Sequence, residues 1–175
     1  MNNFDLERTL ESMRLLVDTR EQPSTVRYKR RIEQIGLPYE RRKLNYGDYS
    51  CECTLPDGTV FDFSNKVVIE RKMNLDEICM CYGNERKRFE REFERAKADG
   101  CKIYLLIEDG TWEKSYNGKY RSLLNPSALT ASLNAFRARY GMQLDFCKKE
   151  TTGKLIHDIL YRELKEYLQN DGGRD

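Results

Sequence analysis

No stretch of this sequence approaches the roughly 18 consecutive apolar residues of a membrane-spanning helix. Nor does one sign of charge prevail: 31 Lys and Arg face 29 Asp and Glu, a net of +2. That balance excludes a polycationic, histone-like binder and an acidic-tail protein. Internal repeats and low-complexity segments are missing too. The opening residues Met1-Asn2-Asn3-Phe4-Asp5 carry neither the basic nor the apolar region of a secretory signal, so a cytoplasmic chain is expected, or a nuclear one in a eukaryote. In such a reducing compartment Cys51, Cys53, Cys79, Cys81, Cys101 and Cys147 are read as thiols rather than as a disulfide framework. Histidine is nearly absent, His157 being the only one. A zinc site would therefore rest on the pairs Cys51/Cys53 and Cys79/Cys81, whose one-residue spacer is less usual for zinc than a two-residue one. A zinc-stabilised interaction module is thus an alternative reading, although on a strand such a pair only puts two small side chains on one face.

What the sequence does have is charge in quantity, 34% of its residues, with a mean hydropathy of −0.80. With a net charge near zero, the two signs have to be partitioned in space. At 175 residues the chain fits one domain, which buries roughly 70% of its unfolded surface and needs no covalent staples. An aromatic content of 11% argues against disorder. Residues 5–13 read as an amphipathic helix and 14–18 as a buried strand. A basic helix over 25–35 is closed by Gly36, and 39–44 is a strand candidate. Residues 49–54 and 60–63 make a hairpin around Pro56-Asp57-Gly58. Strands at 67–70, 102–107 and 143–147 alternate with helices at 75–81, 84–98, 126–139 and 153–169, and a polar loop with Trp112, Asn117 and Gly118 leads into the helix at 126. The expected organisation is a helical extension at 1–13, one domain at 14–169 and a disordered tail at 170–175. Helices alternating with buried strands predict an α/β fold, a mixed central β-sheet flanked by helices.

Acids gather where strands end. Asp18, Glu21, Asp48 and Glu70 all stand at the finish of a strand or at its turn, and strand ends are where an open α/β sheet exposes groups to ligand. Clustered carboxylates need a compensating cation, and hard divalent ions such as Mg²⁺ prefer oxygen donors. On an extended strand Glu70 and Lys72 point to one face about 7 Å apart. The carboxylate is then placed to hold a metal and the ammonium to orient a water or a phosphate oxygen. Each feature alone is commonplace in so charged a chain; the ordered combination is informative.

That combination, Val17-Asp18-Thr19-Arg20-Glu21, then Gly47-Asp48-Tyr49, then Ile69-Glu70-Arg71-Lys72 with Asp76 four residues on, resembles the nuclease domain of the XPF-type structure-specific DNA endonucleases. These belong to the PD-(D/E)XK, restriction-endonuclease-like superfamily. The resemblance spans roughly residues 14–150, including Lys102 to Glu108 and the helix opened by Asn125-Pro126. It implies a restriction-endonuclease-like core and Asp48 and Glu70 as the principal ligands of Mg²⁺ or Mn²⁺. Asp18 and Glu21 would be further acids at the metal, and Lys72 would orient the attacking water or stabilise the phosphate. Arg20, Arg71 and Asp76 would support them. The chain has a longer gap between Asp48 and Glu70 than typical members. Within these 175 residues, neither the helix-hairpin-helix nor the helicase domain that accompanies many of them is expected.

Between residues 26 and 46, Arg27, Lys29, Arg30, Arg31, Arg41, Arg42 and Lys43 face only Glu33 and Glu40, so 7 − 2 = +5. This cluster is the expected DNA-binding margin. Tyr28, Tyr46, Tyr49 and Tyr82 are candidates for base stacking, with core positions as the plainer reading. The apolar stripe of the last helix, flanked by Tyr161 and Tyr167, suggests a homodimer, or simply packing on its own sheet. The leading expectation is a metal-dependent endonuclease acting on branched, flapped or forked DNA, with no small-molecule cofactor. A catalytically inactive DNA-binding or scaffold subunit is the rival, and it is disfavoured because every motif acid is present.

Overall fold

The structure is a computed structural model that describes residues 2–170. Its elements in chain order are α1 (Asn3–Glu11), β1 (Arg14–Val17), α2 (Val26–Ile35), β2 (Tyr39–Arg41), β3 (Tyr49–Thr54), β4 (Val60–Asp62), β5 (Val67–Lys72), α3 (Leu75–Tyr82), α4 (Arg86–Ala98), β6 (Lys102–Glu108), α5 (Trp112–Tyr116), α6 (Pro126–Tyr140), β7 (Gln143–Cys147) and α7 (Thr152–Asn170). The strands form one mixed sheet in the order β2-β1-β3-β5-β6-β7, with β4 added on β3. β1 runs parallel to β2 and antiparallel to β3, while β5, β6 and β7 are mutually parallel. The fold is α/β, as the alternation of elements predicts.

β5 and β6 are apolar without alternation because they are buried on both faces. Leu15, Val17, Tyr49, Ile69 and Leu106 pack under α1, α2 and α7. Val68, Leu105 and Ile107 pack on the other side, under α3, α4 and α6. There Tyr82, Phe89, Phe93 and Phe136 form an aromatic knot with ring centroids 4.9–5.7 Å apart. α2 and α7 lie so close that a Cβ on Gly153 would stand 2.4 Å from Gln34 Cβ.

β3 forks. Its first residue, Tyr49, pairs with Ile69 of β5, and its last three pair with β4. Just before the fork the main chain of Asp48 bridges the neighbouring strands, accepting from Asp18 N (2.8 Å) and donating to Ile69 O (2.8 Å). Asp18, Asp48 and Glu70, which follows Ile69, therefore stand side by side at one end of the central strands.

Several expectations are revised. The strand expected at 39–44 ends at Arg41, because Leu44 N turns onto the Asp18 carboxylate. The loop after β6 contains the short helix α5, capped by the Thr111 hydroxyl. Asn170 closes α7, and the rest of the expected disordered tail, 171–175, lies outside the described residues. The stripe on α7 is taken up by the chain's own core: Ile156, Leu160, Leu164 and Leu168 are buried and Tyr167 stacks on Phe61. Leu155, Ile159 and Tyr161 are half-buried and pack against the same core. Among the described residues, no helix is long and apolar enough to cross a membrane.

Candidate active site

Gly47 makes the approach of Asp48 possible. Its φ is +61°, and a Cβ there would lie 3.0 Å from Ile69 O and from Val68 Cβ. Gly47→Ala should cost about 2–4 kcal/mol through left-handed strain and overpacking together; urea unfolding measures it. The Gly47 N–H donates to Glu92 Oε1 of α4 (3.1 Å), which ties this turn to the helix beneath.

Asp48, Glu70 and Lys72 come together. The Arg71 N–H donates to Asp48 Oδ2 at 2.8 Å, and among the described residues Oδ1 accepts nothing. Lys72 Nζ donates to Glu70 Oε1 at 2.5 Å and lies 5.4 Å from the Phe89 ring centroid. Burial pushes the Asp48 carboxyl well above the carboxylate range, and the charges of Glu70 and Glu21 push it further. Burial also raises Glu70; Lys72 counters this, and Glu92 adds to it. Burial works against the Lys72 charge, but Glu70 and Asp48 outweigh it and keep the ammonium protonated. A half-buried and a buried carboxyl beside a fixed cation, both raised, are groups held out of their ordinary protonation range, as sites of chemistry often are.

Asp18 is differently placed. It is fully buried, and both its oxygens are taken up: Oδ1 accepts from Arg20 N (2.8 Å) and Arg20 Nε (2.6 Å), and Oδ2 from Leu44 N (2.7 Å). Burial alone would raise its carboxyl, but these bonds hold it below the usual value. Arg20 also reaches Gly47 O at 3.2 Å. Glu21 sits on the opposite side of the sheet from Glu70, among Arg31, Tyr49 and Arg71. Burial would raise it too, but Arg71, Tyr49 and Arg31 keep it low. Asp76 is away from the acids: from the first turn of α3 it accepts from the backbone of Arg121 (2.7 Å) and Ser122 (2.8 Å), anchoring the segment before α6.

The expected DNA-binding cluster divides. Arg27, Lys29, Arg30 and Lys43 are exposed. Arg31 departs from the expectation because it is buried between Glu21 and Glu108. Arg42 departs because it is bound to Glu40, Glu52 and Asp62, and Arg41 is tied to the carbonyls of Thr19 and Glu21. Arg20, Arg27, Arg31 and Arg71 line a cleft of about 540 Å³ that also exposes Glu21. Lys149, which follows β7, joins Arg27 and Arg30 around a neighbouring hollow. Glu92 and Lys149 were missed by sequence reasoning, since only tertiary packing brings α4 and the 148–151 turn to this edge. Tyr28, Tyr46, Tyr49 and Tyr82 are all core residues.

The zinc reading fails. Cys51 and Cys53 lie in the core under α7, Cys79 and Cys81 in the core under α6, with the sheet between them. Among the described residues no group of three His, Cys, Asp or Glu is arranged to hold a metal by itself.

Comparison with known proteins agrees with this fold. A family model, the ERCC4 domain, matches residues 17–159. XPF from Aeropyrum pernix superposes with a TM-score of 0.60 at 20% identity, over 86% of this chain and 61% of that one. XPF from Aeropyrum pernix in complex with DNA gives a TM-score of 0.60 at 21% identity, over 87% and 65%. At these identities the likeness is one of fold, and the chain spans about three-fifths of the XPF chains it matches. No curated protein matches it significantly. The family match includes Asp18, Asp48, Glu70 and Lys72 and extends into α7, so the chain belongs to the ERCC4 domain family, with the fold of XPF.

Proposed function

We propose that this chain is a Mg²⁺- or Mn²⁺-dependent DNA endonuclease that hydrolyses phosphodiester bonds in branched, flapped or forked DNA. The observation that carries the reading is the pair Asp48 and Glu70, two carboxyls both held above their ordinary range, the first in part by the charge of the second, with Lys72 bonded to Glu70 at the strand ends. The pair fits a hard divalent cation: it is all oxygen, it carries surplus negative charge, and Asp48 Oδ1 is free to coordinate. When bound, such a cation supplies Lewis acidity, making water more acidic and neutralising charge that develops on the phosphate.

The chain's own groups do the rest. Glu70 anchors the Lys72 ammonium, which offers its remaining N–H groups to the attacking water or to a non-bridging phosphate oxygen. Arg20 and Arg27, on the wall of the arginine-lined cleft, hold the phosphates that flank the cut. Arg30, Lys29, Lys43 and Lys149 extend this margin along the duplex. Asp18 acts at one remove: its carboxylate fixes Arg20 and the 42–47 turn that delivers Asp48.

The test is cleavage of end-labelled flap, fork, splayed-arm and plain duplex DNA with Mg²⁺, with Mn²⁺ and with chelator. Cutting of the branched substrates that needs the divalent ion is expected, and Lys72→Ala should slow it about 10²–10⁴-fold. Equal cutting by wild type and Lys72→Ala would sink the assignment. Binding without cleavage under either ion would favour the inactive scaffold instead.

A further inference from the structure

On the face of the sheet opposite Glu70 and Lys72, four buried charges close a ring. Arg31 Nη2 stands 2.9 Å from Glu21 Oε2, and Arg71 Nη2 stands 3.5 Å from Glu21 Oε1. Arg71 Nη1 lies 3.5 Å from Glu108 Oε2, and Arg31 Nη1 lies 3.4 Å from Glu108 Oε1. The signs alternate around the circuit and sum to zero. None of the four side chains is more than 14% exposed. Tyr49 closes the inside, accepting from Arg31 Nε at 2.8 Å and donating to Glu21 Oε2 at 2.5 Å. The members come from α2, the turn after β1, β3, β5 and the end of β6, so the ring ties together five parts of the fold.

As a stabilising device this is an expensive choice. Desolvating four charges costs several kcal/mol per ion, and apolar side chains of like volume would often do as well or better. What such an arrangement does well is fix geometry, because each guanidinium is gripped from two sides. Arg71 is where that grip meets the site. Its side chain lies in the ring while its main-chain N–H holds Asp48 Oδ2 at 2.8 Å. Its Nε is buried with no partner among the described residues, so the two carboxylates of the ring alone set the guanidinium.

We infer that Glu108 and Arg31 are positioning residues of the active site: the ring clamps Arg71, and Arg71 through its backbone orients the Asp48 carboxylate toward the divalent cation. Glu21 and Arg71 stand in the motifs that carry the family resemblance, whereas Glu108 and Arg31 stand outside them. The inference rests on the proposed function for the role of Asp48, but the ring itself can be tested without it. Glu108→Gln takes one charge from the circuit and leaves Arg31 and Arg71 sharing Glu21. The double variant Glu108→Gln with Arg31→Gln restores neutrality, with Arg71 and Glu21 still paired.

The experiment compares wild type, the single variant and the double variant. It reads amide hydrogen exchange at Arg71 in the metal-free protein, Mn²⁺ affinity by calorimetry, kcat and KM on a flap substrate, and melting temperature. Glu108→Gln should speed exchange at Arg71, weaken Mn²⁺ binding by about tenfold or more, as loss of an outer-shell partner does, and lower kcat with KM for DNA unchanged. The double variant should regain part of the Mn²⁺ affinity. A Glu108→Gln protein that melts lower yet keeps wild-type Arg71 exchange, Mn²⁺ affinity and kcat overturns the inference, since the ring is then only structural. A wild type that neither binds Mn²⁺ nor cuts DNA removes the proposed function, while exchange at Arg71 still decides whether Glu108 clamps it. Should Glu108→Gln not fold, Glu108→Asp keeps the charge one methylene short, and the same readouts should fall between wild type and the loss expected for the glutamine variant; wild-type values throughout overturn the inference as before.

Discussion

Replacing Asp48 with asparagine should raise the melting temperature of the metal-free protein and at the same time reduce DNA cleavage by about 10³-fold, the scale of losing one electrostatic partner of a reacting phosphate. Both effects have one cause. The folded Asp48 carboxyl titrates well above its ordinary range because it is buried and faces Glu70 and Glu21. Below the unfolded value both states keep the proton, and the group costs nothing. As pH rises from there to the folded value, the unfolded chain ionises first, so stability is lost across that window and stays lost at neutral pH. Asparagine does not titrate, and its oxygen can still accept the Arg71 N–H. About 1 kcal/mol recovered in this way would raise the melting temperature by about 2–4 °C. Mg²⁺ should stabilise the wild type and not the variant. Calorimetry in mildly acid and neutral buffer, with and without Mg²⁺, checks each part. A variant that melts lower than wild type at neutral pH in the absence of metal would contradict the account.

Asp18→Ala should do the opposite, unfolding the protein far more readily. The fully buried carboxylate satisfies Leu44 N, Arg20 N and the Arg20 guanidinium. Removing it strands the buried Leu44 N–H at about 1–3 kcal/mol and loses the part-buried bonds of Arg20, so a loss of about 2–5 kcal/mol is expected, or roughly 5–15 °C in melting temperature. Asparagine would not rescue it fully, because both oxygens accept and the amide NH₂ would meet a donor. The same geometry sets the acid limit of the fold. Asp18 and Glu21 titrate below their ordinary values, so their contribution is present above the ordinary carboxylate range and disappears as pH falls through the folded values. Denaturant unfolding decides the matter. Unchanged stability with lost Mn²⁺ binding would move Asp18 from the scaffold to the metal.

The contrast between the two acids shows how far the sequence carried. That Asp18 and Glu70 stand at strand ends followed from apolar runs finishing in carboxylates, Asp48 came from the Gly47-Asp48 turn, and the shared face of Glu70 and Lys72 followed from strand alternation. Alternation also turns Arg71 and Glu108 to the other face, but their partners, Arg31 and Glu21, arrive by the docking of α2 and of the turn after β1. Local charge counting treated Arg31 and Arg42 as part of a cationic margin, because a sum over neighbours in sequence does not register carboxylates contributed by other strands. Glu92 was invisible for a related reason: on a helix full of charged residues, only the packing of α4 beneath Gly47 singles it out. The short α5 escaped notice because five residues in a polar loop carry no helical periodicity.

The fork in β3 has a mechanical meaning. Among the described residues Tyr49–Ile69 is the one ladder pair between β3 and β5, supplemented by the bonds of Asp48 N to Ile69 O and of Ser50 Oγ to Val67 O, so the sheet consists of two panels, β2-β1-β3-β4 and β5-β6-β7, meeting at a narrow seam. Asp48 belongs to the first panel and Glu70 to the second. A cation held by both would act as a rivet across the seam, so the same event that arms the site would stiffen the domain where its backbone pairing is thinnest.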